Sequence, residues 1–92
     1  MNTWLYPEAV QRVEQACHAF LSRQSGIEQV QAALLQSEQE IVALDEKWLR
    51  SVLFDAENKL EEIQFTVSDD KQAEAADEVV RHVLQAIKTP PA

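Results

Sequence analysis

Two histidines, His18 and His82, and one cysteine, Cys17, are the side chains best suited to metal, acid–base or nucleophilic chemistry. Each histidine follows a glutamate by four residues, Glu14 before His18 and Glu78 before His82. That spacing puts both side chains of a pair on one face of a helix. Two such pairs on neighbouring helices would be a carboxylate–imidazole metal site. The signature of such bundle sites, however, is Glu-x-x-His with two further glutamates on other helices, all projecting inward. Here the spacing is one residue longer, and both histidines lie beside the apolar stripes rather than within them, which suits solvated pairs. Cys17 and His18 project roughly 100° apart on a helix, so they make no nucleophile–base pair. Cys17 falls in an apolar stripe and reads as a core residue. The expectation is a protein that is not an enzyme and needs no cofactor or metal.

The elements around these residues read as helices throughout. Pro7 suits the first turn of a helix. Val10, Val13, Cys17, Phe20 and Leu21 then recur at helical spacing up to about Gln24. Gly26 reads as a left-handed cap closing that helix. Ser25 with Glu28 fits a capping box opening the next one. A second stripe is Ile27, Val30, Leu34, Ile41 and Leu44, with a polar seam position at Ser37. Ser37 and Glu40 fit another capping box, so either one helix ends near Gln36 and another begins at Glu38, or a single long helix carries Ser37 in its seam; a break is expected near Ser37 or around Leu44-Asp45, where Asp45 would be an N-cap. The third stripe is Leu49, Val52, Leu53, Ala56, Leu60, Ile63 and Val67. Ser68, Asp69 and Asp70 offer caps for a last helix from about Asp70 to Lys88, with Ala76, Val79, Val80, Val83, Leu84 and Ile87 inward. The prediction is an all-α fold, a small antiparallel bundle of about four helices. It forms one domain over 1–92, with 1–6 an N-terminal arm and 89–92 a frayed tail.

Composition agrees and narrows the function. With 92 residues, 46% of them hydrophobic and 26% charged, the chain is a single folded domain rather than a disordered one. One cysteine excludes an internal disulfide framework, and one glycine argues against an all-β fold. Neither a signal-peptide pattern nor a membrane-length apolar run occurs, so the expected location is the cytoplasm. The net charge is −8. A chain this acidic, with its basic residues scattered, is not expected to bind nucleic acid or an anionic membrane. The negative charge is uneven. Up to Gly26 the charges cancel, whereas Glu38 to Glu78 carries thirteen acids against Lys47, Arg50, Lys59 and Lys71.

One face stands out within that acidic half. Phe54 and Phe65 project roughly 140–160° from the centre of the third apolar stripe. Asn58, Glu61 and Glu62 share that outer face, and Asp55 and Glu57 extend it to either side. Large aromatics ringed by carboxylates have the make-up of an interface core with a charged rim. The other reading is that the helix is central, with both phenylalanines packed in the core.

The stretch Asp55-Ala56-Glu57-Asn58-Lys59-Leu60-Glu61-Glu62-Ile63-Gln64-Phe65-Thr66-Val67, together with Ser25-Gly26-Ile27, resembles the small helical immunity proteins of bacteria. Those proteins neutralise colicin-type and contact-dependent-inhibition nuclease toxins. The resemblance is one of style over about a third of the chain, with no diagnostic motif. It implies a non-catalytic inhibitor in complex with a basic nuclease toxin domain, with Glu57, Glu61 and Glu62 meeting the toxin's Lys or Arg. The partner-binding set expected is thus Phe54, Asp55, Glu57, Asn58, Glu61, Glu62 and Phe65. The alternative is a helical adaptor or structural bundle that self-associates, as a homodimer for example.

Overall fold

The computed structural model describes residues 4–91. Four α-helices make up the fold: α1 (Pro7–Leu21), α2 (Ile27–Glu40), α3 (Lys47–Thr66) and α4 (Gln72–Lys88). Single 3-10 turns, Leu44–Glu46 and Asp69–Lys71, lead into α3 and α4. There is no strand among the described residues. Each helix packs against the next and α4 returns to α1, closing a small antiparallel bundle of 38 × 22 × 21 Å. The apolar stripes meet in one core of Val10, Val13, Cys17, Phe20, Val30, Leu34, Ile41, Leu49, Leu53, Leu60, Val80, Val83 and Ile87. Of the expected arm, residues 1–3 lie outside the description, while Trp4 and Tyr6 pack against the core. Of the expected tail, Ala92 lies outside it too, and Pro90 is half-buried.

Several boundaries differ from the sequence reading. Helix α1 ends at Leu21, before Gln24, and the left-handed residue that closes it is Arg23, at φ 64°. The Arg23 amide donates to the Phe20 carbonyl and the Gln24 amide to the Ala19 carbonyl. These two bonds are the Schellman pattern, with arginine in the place usually held by glycine. Gly26 is instead the N-cap of α2, extended at φ −99° and ψ 179°. Its amide donates to the Gln29 side chain at 2.8 Å, so Gln29 and not Glu28 completes that cap. The hydroxyl of Ser25 caps nothing.

Ser37 does not break the chain. Helix α2 runs through it to Glu40, and the chain leaves helix at 41–43. Leu44 is 85% exposed and leaves the apolar stripe, while Asp45 sits in the 3-10 turn and makes no side-chain cap. Ser68, Asp69 and Asp70 do not cap by side-chain hydrogen bonds either. The turn before α4 is held by Gln72, whose Nε2 donates to the Val67 carbonyl at 2.9 Å.

Candidate protein-binding face

Helix α3 owes its orientation to Leu49, Leu53, Ala56 and Leu60, which are buried along one side. The opposite side faces out by helical geometry. Phe54 is 50% exposed and Phe65 81% exposed, so neither is a core residue. They are eleven positions apart, which on an α-helix is within about 20° of the same direction and about 16 Å along the axis. Asn58 and Glu61, both exposed, fall between them on the same ridge.

The other expected residues lie off this ridge. Asp55 is exposed and points to the α4 side, where it lines a groove of about 350 Å³ with Val52, Ala56, Lys59, Glu78, Val79 and His82. Glu62, seven residues on, is exposed on the same flank. Glu57 is half-buried and turns toward α2. Burial raises its carboxyl above the usual range, and the carboxyls of Glu38 on α2 and Glu61 on α3 raise it further.

The ridge continues toward the start of α3 in residues that charge counting over the whole segment concealed. Arg50 and Lys47 precede Phe54 by four and seven positions and share its face. Together with Glu38, Ser51 and Phe54 they line a shallow recess of about 270 Å³. The ridge thus reads Lys47, Arg50, Phe54, Asn58, Glu61, Phe65, basic at its beginning and acidic at its end. This order opposes the helix dipole, which favours acids in the first turn and bases in the last. The first turn of α3 has no acid and the last turn no base.

Known protein families, curated proteins and solved structures were compared, and none matches this chain.

The residues that opened the chemical question lie elsewhere. His18 and His82 are both exposed. Glu14 and His18 line a surface recess with Trp4, Leu84, Ile87 and Lys88, whereas Glu78 and His82 line the α3–α4 groove. Among the described residues no group of three or more His, Cys, Asp or Glu side chains comes together to hold a metal ion. Cys17 is fully buried, and its thiol is pushed up to about 12, chiefly by burial and then by the charge of Glu14. At neutral pH it is a protonated core side chain, and a thiolate nucleophile is not at hand. No helix among the described residues is long and apolar enough to cross a membrane.

Proposed function

We propose that this protein is a non-catalytic inhibitor that binds a basic protein through the outer ridge of α3, in the manner of an immunity protein neutralising a nuclease toxin in the cytoplasm. The observation that carries the reading is the pair Phe54 and Phe65, two exposed rings on one ridge with carboxylates between and beside them. Exposed rings of this size are what interface anchors are made of, and surrounding charges steer the encounter. The charge order along the ridge supports the same reading. It works against the dipole of its own helix, so helix stability does not explain it. A ridge with a basic and an acidic end also docks in one direction only.

The test is a titration against basic nuclease toxin domains, with nuclease activity and heat of binding as readouts. Stoichiometric inhibition is expected. Phe65→Ala should weaken it by about thirtyfold, the size of a 2 kcal/mol anchor loss, while the melting temperature stays at the wild-type value. Inhibition untouched by both Phe54→Ala and Phe65→Ala would overturn the assignment of this face.

A second reading, self-association, is favoured by Leu35, Val42 and Leu44, which are exposed on α2 and on the segment leaving it. Like charge opposes it, because two copies at −8 each repel. Sedimentation at low and high salt separates the two readings. A dimer that strengthens with salt and is lost in Val42→Ser with Leu44→Ser supports the second.

A further inference from the structure

Where the chain enters α3, Trp4, Leu5, Asp45, Glu46, Trp48, Pro90 and Pro91 line an open recess of about 320 Å³. Three distant parts of the chain build it: the segment before α1, the turn before α3, and the residues after α4. The two indoles stand 6.0 Å apart between centroids at 38°, a tilted pair packed against each other at the recess wall. Glu46 is only 6% exposed, a rare state for a glutamate without a full set of partners. Its Oε2 accepts the Leu5 amide at 2.9 Å. Its Oε1 is buried and has no hydrogen-bond partner among the described residues. Among the described residues no basic side chain lines the recess, and Asp45 adds a second carboxylate to it.

We propose that this recess is a binding site for an alkylammonium group, either a lysine side chain of another protein or a free amine. Each part of the wall suits that charge and shape. A buried carboxylate oxygen lacking a donor calls for a cation. Indole faces attract organic cations within about 6 Å of the ring centroid, most strongly when water is excluded. A bare metal ion is a poor fit, because the indole and pyrrolidine rings supply no oxygen ligands to complete its shell. The volume is at the small end of ligand pockets and accommodates a chain of lysine's length. The site adjoins the basic beginning of the α3 ridge, where Glu46 and Trp48 flank Lys47, and does not depend on the inhibitor reading.

Trp4 and Trp48 are the chain's two tryptophans and both line this recess; Trp4 also borders the recess of Glu14 and His18, and the Glu46→Gln variant separates the two. The experiment titrates the whole protein with butylammonium chloride, with sodium chloride at equal ionic strength and 1-pentanol as controls. A saturable emission change is expected with butylammonium and neither control. Glu46→Gln keeps an oxygen for the Leu5 amide but removes the charge, and should lower affinity at least tenfold, about 1.4 kcal/mol. In amide spectra of the unmodified protein the two indole N–H signals should shift while those of residues 54–65 stay. Nα-acetyl-lysine amide distinguishes the sources. Binding at least as tight as that of butylammonium assigns the site to a lysine side chain, and weaker binding assigns it to a free amine. No saturable change, equal binding of pentanol, or unaltered affinity in a folded Glu46→Gln variant overturns the proposal.

Discussion

The hydroxyl of Ser37 donates to the carbonyl oxygen of Ala9 at 3.0 Å, joining α2 to α1 inside the core. Arg12 closes the arrangement from outside, donating through Nη1 to Ser37 Oγ at 3.1 Å and to Glu40 at 2.9 Å. A polar residue fully buried in an apolar seam is tolerated because its donor and acceptor capacity are both used. Ser37→Ala removes the bond but leaves Ala9 its helical partner and Arg12 its glutamate. The expected loss is about 1 kcal/mol, read as a lower denaturation midpoint at unchanged slope, with the helical spectrum intact.

Arg23 holds a left-handed backbone that costs about 1–2 kcal/mol in a residue with a Cβ. Its side chain offsets part of this. The guanidinium lies over the Phe20 ring at 5.3 Å and makes two 2.9 Å bonds to Asp77, tying the end of α1 to α4. Arg23→Ala keeps the strain and loses the ties, so its denaturation midpoint should fall below the parent's. Arg23→Gly loses the ties and the strain together, so its midpoint should lie closer to the parent's than that of Arg23→Ala. Equal losses in the two variants would show that the backbone conformation carries no strain.

These two residues also mark where sequence reading succeeds and stops. The four helices were legible because apolar residues recur at helical period, which is a local signal. Ser37 was legible only as an alternative, because a serine three residues before a glutamate looks like a cap and equally fits the seam of one long helix, and the partner that decides is 28 residues away. Gly26 looked like the end of α1 because glycine is the usual left-handed residue, whereas contacts with Phe20 and Asp77 let Arg23 take the position. The outward direction of Phe54 and Phe65 follows from angular arithmetic on α3. The same arithmetic places Arg50 and Lys47 beside Phe54, and summing charge over a long segment hid them. The Trp4–Glu46–Trp48 recess had no sequence signal, since it exists only where three separated segments meet.

Glu57 and Asp77 give opposite dependences on pH. The carboxyl of Glu57 is raised by burial, then by Glu38 and Glu61, so the folded state binds its proton more tightly than the unfolded chain. Its stabilising effect is complete below its ordinary value of 4.5 and is lost as pH rises through the higher folded value. Glu57→Gln should therefore melt higher than the parent at neutral pH, with the difference closing as pH falls toward 4.5. Asp77 is lowered from 3.8, first by the Arg23 hydrogen bond, so its contribution is present above 3.8 and lost as pH falls through the folded value. Asp77→Asn should melt lower at neutral pH, with no difference in strong acid. Melting curves of the two variants between pH 2 and 7 check both signs.

Charge reversal near the end of α3 separates a functional surface from a structural one. Glu61 and Glu62 lie in the last two turns, where the carbonyl end of the helix dipole disfavours negative charge. Both are exposed, and neither is in an ion pair among the described residues. Glu61→Lys also removes a negative neighbour of Glu57. Glu61→Lys and Glu62→Lys should each stabilise the fold by a few tenths to about 1 kcal/mol, more at low salt than at high. If the ridge meets a basic partner, the same changes slow association and weaken its salt dependence, because the acidic end then repels what it formerly drew in. Stability and binding thus move in opposite directions, which no disturbance of folding produces. The measurements are thermal melts in parallel with association rates at two salt concentrations. Variants that melt higher and bind at the parental rate would remove Glu61 and Glu62 from the interface, leaving Lys47, Arg50 and Phe54 as the end of the ridge to test.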